Sequence, residues 1–266
     1  MGVINATPDS FSDGGAALDA AAALDIALAM EASGADLIDV GAESTRPGAT
    51  PVGAAEESAR VRPVLRAMAG KVRIPISIDT YKAEVAALAL DEGAAIVNDI
   101  SGLTYDPALG AVVAARGVPV ILMHTRGRPA DMYAHAEYVD VVGEVAADLQ
   151  RSVDRALAAG VERDAILLDP GLGFAKRAEQ SLQALAGIER LAALGFPIVV
   201  GPSRKSFMTA ATGPLDPDAR DWPTAAAVTA AVLGGAHIVR VHRVAEMVQV
   251  VRLADAIRNA AVATNL

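Results

Sequence analysis

The chain contains no cysteine. That excludes disulfide scaffolds, thiolate metal centres and cysteine nucleophiles, and it suits a reducing compartment, so a cytoplasmic location is expected. Aromatic residues are scarce, nine in 266 residues, and the formal net charge is −9 with no basic run. Nucleic-acid binders carry basic stripes interleaved with aromatics, so no nucleic-acid partner is expected. A small anion remains compatible, because it needs only a local group of cations. No basic segment followed by an apolar core marks a signal peptide. The most apolar stretch, Ala225 to Val239, is interrupted by Gly234, Gly235 and His237, too early to cross a bilayer, so no membrane association is expected. The four histidines show neither H-x-x-x-H nor HExxH spacing, which argues against zinc.

What the chain does have is apolar mass: 53% of its residues are hydrophobic, enough for a large core. Short apolar runs alternate with longer Ala/Leu-rich stretches. The strand candidates are Gly2–Asn5, Leu37–Val40, Pro75–Asp79, Ala95–Asn98, Pro119–His124, Ile166–Asp169, Pro197–Gly201 and His237–Val241. Their near-continuous apolar character fits strands buried on both faces. Helical patterns fall at about 19–33, 54–68, 82–92, 107–116, 136–159, 178–194, 203–211 with 222–234, and 244–260. Gly-Ala and Gly-Val pairs at Gly34, Gly93, Gly117, Gly160 and Gly235 sit where helices hand over to strands. Eight βα units in this length predict a closed (β/α)8 TIM barrel, and no linker composition divides it, so residues 1–266 form one α/β domain. An open doubly wound sheet would carry a glycine fingerprint after its first strand, and Asn5-Ala-Thr-Pro is not one.

In such a barrel the chemistry lies at the C-terminal ends of the strands. Those ends carry Asn5, Asp39, Asp79, Asn98 with Asp99, His124, Asp169, Ser203-Arg204-Lys205, and Arg240 with His242. One aspartate after a strand is commonly a cap or turn former. Polar residues at all eight ends instead imply a ligand, since gathering charges at one apolar rim costs desolvation. Asp79, Asn98 and Asp169 suit the N–H-rich edge of a flat heterocycle. Arg46, Lys205, Arg240 and His242 suit a phosphate or pyrophosphate. Asn5 offers a neutral oxygen to a hard cation such as Mg2+, which tolerates few protein ligands when phosphates supply the rest.

Other motifs are silent. "DPGLGFAK" (Asp169–Lys176) has Lys176 where a dinucleotide fingerprint needs glycine. "GAESTRPGAT" lacks the Gly-Lys-Ser/Thr of a P-loop, and "GPSRKS" lacks the frame of a nucleophile elbow, so Ser203 reads as a helix N-cap. His135 and His237 read as surface or packing residues, and Asp9 as a turn former. Phe11 and Phe174 suit either a core ring or a ligand contact.

Taken in order, "MGVINATPDSFSDGG", "DVGAESTRPGA", "ISIDTYKAEVA", "IVNDISG", "LMHTRG", "LLDPGLGFAK", "VGPSRKSF" and "VRVH" resemble the dihydropteroate synthase family of pterin-binding barrels, over nearly the whole chain. The resemblance implies a transferase of folate biosynthesis. It would condense 6-hydroxymethyl-7,8-dihydropterin pyrophosphate with p-aminobenzoate, giving 7,8-dihydropteroate and pyrophosphate by an SN1-like path. Sulfonamides compete for the aminobenzoate site in this family. By the same resemblance Asp79, Asn98, Asp169 and Lys205 would hold the pterin. Asn5 would ligate Mg2+, and with Arg46, Arg240 and His242 would hold the pyrophosphate. Thr45, Pro47, Phe174, Lys205 and Ser206 would form the aminobenzoate pocket, closed by Phe11, with Asp13 holding the closed loop. Asp79, Lys205, Arg240 and His242 would carry catalysis. A homodimer is expected, as is a first loop that is displaced without ligands.

The chain also departs from that family. Its lead-in before the first strand is shorter than usual, Ala42 stands where glycine is usual, and Arg243 stands where Asp or Asn is common. Arg243 is expected to add positive charge near the pyrophosphate without gross loss of activity. Two rivals remain. A corrinoid methyltransferase barrel would need the pterin acids but no pyrophosphate clamp. A non-catalytic pterin-binding paralogue would have lost Asn5, Arg46, Lys205 or His242.

Overall fold

The computed structural model describes residues 1–6, 16–41, 43, 48 and 50–263. Among them the chain alternates eight short strands with helices. The strands are β1 (Gly2–Asn5), β2 (Ile38–Gly41), β3 (Ile76–Asp79), β4 (Ile96–Asp99), β5 (Val120–Met123), β6 (Ile166–Asp169), β7 (Val199–Val200) and β8 (Ile238–Val239). The helices are α1 (Ala16–Ala32), α2 (Ala54–Met68), α3 (Ala83–Asp91), α4 (Leu109–Arg116), α5 (Val141–Ala158), α6 (Ala178–Ala186), α7 (Ile188–Ala192), α8 (Thr209–Thr212), α9 (Asp221–Leu233) and α10 (Val244–Ala263). β1 to β6 pair in parallel in chain order, and β7 pairs with β8. Bridges Leu168↔Ile198 and Gly2↔Val241 join the two sheets at both edges, so the strands close on themselves as a barrel. No helix among the described residues is long and apolar enough to cross a membrane.

Strand parity divides the molecule into two cores. Successive strand residues face opposite sides. Ile38 and Val40, Ile76 and Ile78, Val120 and Leu122, and Ile166 and Leu168 face outward and join the helices in the main core. Met1, Leu37, Ile96, Ile121, Leu167, Val199 and Ile238 have the other parity and fill the barrel interior. Continuing along each strand in steps of two reaches Asp39, Asn98, Met123, Asp169 and Arg240. The interior is therefore apolar at its base and polar at the C-terminal rim.

Several helices are shorter than their apolar patterns. The 178–194 pattern divides into α6 and α7 at Gly187, where an added Cβ would lie 2.5 Å from a Val142 methyl of α5. The 136–159 pattern starts as helix only at Val141, because Asp140 caps it through Gly143 N at 3.1 Å. Residues 203–211 form a 3-10 turn, Ser206–Met208, running into α8, which Gly213 stops with φ 79°. The handover glycine Gly117 adopts φ 62° and ψ 33°, the left-handed helix end that glycine permits without a steric cost.

Candidate active site

The inner-parity polar residues meet at the C-terminal rim. Arg240 lies between two carboxylates: its Nε donates to Asp39 Oδ2 at 2.7 Å and its Nη2 to Asp79 Oδ2 at 3.1 Å. Asn98 Nδ2 donates to the same Asp39 oxygen at 3.2 Å. Asp39 is fully buried, and its Oδ1 has no donor among the described residues. Gly41 ends β2 beneath this group; a Cβ there would come within 3.3 Å of the Asp79 Cβ. Across the barrel, Asp169 Oδ1 accepts from Gly171 N at 2.7 Å. The Lys205 ammonium lies 4.0 Å from the centroid of the Phe174 ring. His242 Nδ1 lies 2.9 Å from Ser203 Oγ, which also accepts from His242 N at 3.2 Å.

The electrostatics follow from burial and sign. Burial, reinforced by the Asp39 charge, pushes the Asp79 carboxyl up to about 7. Burial also raises Asp169, opposed by the Gly171 N–H. Lys205 is pushed down to about 8 by burial and then by Arg240. Burial works against the charge on Arg240, but Asp39 and Asp79 outweigh it and raise its pKa. His242 is pushed down to about 4 by burial, then by Arg240, Arg204 and Lys205, so its ring is neutral at neutral pH. This rim interleaves carboxylates and an amide with an arginine, a lysine and a titratable imidazole. It can grip a heterocycle rich in N–H groups and an anionic leaving group together.

The structure thus brings together Asp79, Asn98, Asp169, Lys205, Arg240 and His242, as the strand ends predict. Asn5 is exposed at the rim end of β1. Ser206 is exposed at the first residue of its 3-10 turn, and Phe174 packs partly against the Tyr81, Ile100 and Met123 cluster. Phe11, Asp13, Thr45, Arg46 and Pro47 lie outside the described residues, as do Ala42 and the expected movement of the first loop. Four readings need correction. Ser203 caps no helix; its hydroxyl is committed to His242. His124 does not belong to the rim, because it has outward parity and turns toward α5, where its Nε2 lies 3.0 Å from Asp148 Oδ2. Asp99 also has outward parity and binds its own turn, accepting from Ser101 N at 2.8 Å and Leu103 N at 2.5 Å. Arg243 adds no free charge to the rim: it pairs with Asp221 at 3.4 Å and Glu246 at 3.1 Å.

Sequence reasoning placed Asp39 at a strand end but gave it no role. Its parity, two residues beyond the interior Leu37, is the signal that finds it.

The model of a family described as pterin binding enzyme matches residues 1–242. The dihydropteroate synthase of Synechocystis sp. is 48% identical over 257 residues, covering 97% of this chain and 89% of that protein. The Clostridium difficile dihydropteroate synthase, solved in the presence of pteroic acid, superposes with a TM-score of 0.91 at 40% identity over 96% of this chain and 95% of that one. The Xanthomonas albilineans dihydropteroate synthase, solved with 4-aminobenzoic acid, gives a TM-score of 0.90 at 40% identity over 97% and 92% of the two chains.

Proposed function

The chain belongs to the pterin-binding enzyme family, among the dihydropteroate synthases of folate biosynthesis, and from that membership we propose how its rim performs the transfer. The observation that carries the reading is the Asp39–Arg240–Asp79 bridge, flanked by Asn98, Asp169 and Lys205 on one inner face.

Asp79, Asn98 and Asp169 hold the N–H-rich edge of 6-hydroxymethyl-7,8-dihydropterin pyrophosphate, and Lys205 lies against the ring. Arg240 directs its Nε and Nη2 to Asp39 and Asp79, and its Nη1, with no partner among the described residues, is the donor assigned to the pyrophosphate. His242 supplies a second donor whose charge develops when the anion arrives. Asn5 and Arg46 complete the pyrophosphate site. The donor set fits Mg2+: one exposed neutral oxygen at Asn5, and no group of three His, Asp or Glu among the described residues that would cage a metal without the substrate. When bound there, the ion offsets charge on the leaving group.

The C–O bond breaks first, with its electron pair leaving on pyrophosphate, because the electron-rich pterin stabilises the methylene cation. Arg240 and His242 act on the charge that develops on the leaving oxygens. Asp79 faces the cation that remains. The neutral aniline nitrogen of p-aminobenzoate then forms the C–N bond and loses a proton without a strong base. Phe174, Lys205 and Ser206 are assigned to its pocket, and family membership assigns Thr45, Pro47, Phe11 and Asp13 to the same substrate. Ordering this pocket after the pterin binds limits capture of the cation by water. Sulfonamides, which resemble p-aminobenzoate in shape and charge, are expected to compete there.

A cytoplasmic homodimer is the proposed working form. The exposed Leu253 and Ile257 on α10 and Trp222 on α9 offer it apolar surface. Sedimentation of the purified protein tests the assembly. For the reaction, purified protein is given the dihydropterin pyrophosphate, Mg2+ and p-aminobenzoate. Aminobenzoate-dependent pyrophosphate supports the reading, and methyl transfer from methyltetrahydrofolate to a corrinoid in its place would replace it.

A further inference from the structure

The loop after β6 is held by side chains that have no part in the reaction above. Gly171, Gly173 and Ala175 all take positive φ, at 65°, 78° and 47°, a conformation that strains the Cβ-bearing Ala175. A Cβ on Gly171 would lie 2.0 Å from the His124 carbonyl oxygen, so this loop lies directly on the end of β5. Four of its carbonyls are taken by side-chain donors. Tyr133 Oη donates to Gly173 O at 3.3 Å, Tyr138 Oη to Ala175 O at 3.0 Å, and Lys176 Nζ to both Gly171 O and Phe174 O at 3.1 Å.

Lys176 is the unusual member, a lysine only 1% exposed. Its third contact is His124 Nδ1 at 2.7 Å, and the far side of that ring, Nε2, lies 3.0 Å from Asp148 Oδ2. The carboxylate can only accept, so Nε2 carries the ring hydrogen and Nδ1 presents a lone pair. Lys176 must then donate to all three of its neighbours, which uses every N–H of an ammonium group. Burial opposes that charge and also keeps His124 neutral. The Asp169 charge favours the ammonium, while Asp148 orients the imidazole and is itself fixed by Arg126, whose Nε and Nη2 donate at 3.1 and 3.0 Å.

We propose that Lys176, backed by His124 and Asp148, is a positioning residue for aminobenzoate binding: its buried ammonium locks the Gly171 and Phe174 carbonyls and so fixes the Phe174 ring against Lys205. The proposal rests on Phe174 lining the aminobenzoate pocket. Lys176 acts through the loop and touches no substrate. Asp169 sits on β6 itself, paired in register with Met123, so the strand ladder holds the pterin side, which meets this relay only through the Gly171 N–H that the Asp169 carboxylate accepts.

The test compares Lys176→Met, Asp148→Ala and Phe174→Ala with the parent. Asp148 is partly open to solvent, so its replacement strains the fold less than replacement of the buried lysine, and thermal melting of each variant identifies those that fold. For each, KM is measured for both substrates, and hydrogen exchange is followed at the Phe174 amide, which donates to Gly171 O at 3.0 Å in the parent. Lys176→Met and Asp148→Ala are expected to raise the aminobenzoate KM about tenfold, as for loss of a charge-assisted hydrogen bond, while the dihydropterin pyrophosphate KM stays within about twofold. The Phe174 amide should exchange faster in both. Parental aminobenzoate KM in these two variants, with a raised value in Phe174→Ala, overturns the relay. So does an equal rise in both KM values, which marks general damage. If Phe174→Ala leaves the aminobenzoate KM unchanged, the pocket assignment fails instead. Amide exchange then decides the relay: faster exchange upholds the lock on the loop, and unchanged exchange removes it.

Discussion

Replacing Asp79 with Asn should abolish turnover and at the same time stabilise the unliganded protein increasingly as the pH rises. In the fold this carboxyl titrates near about 7, against an ordinary value of 3.8, because it is buried beside Asp39. The folded value is the higher one, so ionisation opposes folding. The group's contribution to stability is fully present below about pH 4 and is lost as pH rises through about 7. With 1.36 kcal/mol per unit, the linked cost is ~1.7 kcal/mol at pH 5 and ~4 kcal/mol at pH 8. Asparagine does not titrate, and the difference between an amide and a neutral acid is the same at every pH. The stability gap between Asp79→Asn and the parent should therefore widen by ~2 to 3 kcal/mol from pH 5 to pH 8, less whatever the Asp39–Arg240 network absorbs. Urea denaturation at pH 5, 6, 7 and 8 without ligands measures it, provided the slopes match. Turnover should fall by at least about a hundredfold, because the carboxylate that faces the cation is gone. A gap constant to within about 0.5 kcal/mol across this range would refute the argument that the site is held under electrostatic strain.

The remaining predictions concern the two substrates and the rim. Lys205→Ala should weaken binding of both the pterin and p-aminobenzoate, since the ammonium lies between Asp169 and the Phe174 ring; normal turnover would remove it from the site. Pyrophosphate binding should take up a proton between about pH 5 and 6.5, because an anion beside His242 lifts its pKa from about 4 toward the ordinary range. Titration calorimetry in buffers of different ionisation enthalpy reads this directly, and equal heats in all buffers would contradict it. Arg243→Asp should change kcat/KM by less than about threefold, because the parent's charge is already paired with Asp221 and Glu246 at an exposed position.

Much of this was legible in the amino-acid order because strands buried on both faces read as apolar runs, and the barrel places their ends at one rim. β1, β3 and β6 end in Asn5, Asp79 and Asp169, as their patterns predict. The Asp99 and His124 corrections have one physical source: the strand's period of two decides which polar end residues face the barrel. Asp39, Asn98, Asp169, Arg240 and His242 share the parity of the interior residues, whereas Asp99 and His124 are one step out of phase and face the helices. Counting from Ile96 or Ile121 sorts them without a structure. Ser203 is different: it heads the 203–211 helical pattern and so reads as a cap, and only its distance to a histidine 39 residues later shows otherwise. Lys176 carried no local sign at all. Its ammonium folds back on its own loop and reaches a histidine 52 residues earlier, a contact that spacing alone does not reveal.

The most direct test of the central claim is product analysis with purified protein, Mg2+, 6-hydroxymethyl-7,8-dihydropterin pyrophosphate and p-aminobenzoate, comparing the parent with Arg240→Met. Equimolar 7,8-dihydropteroate and pyrophosphate are expected from the parent, both dependent on aminobenzoate, and neither above background when the arginine bridging Asp39 and Asp79 is gone. No aminobenzoate-dependent product from the parent, or undiminished product from Arg240→Met, would contradict it.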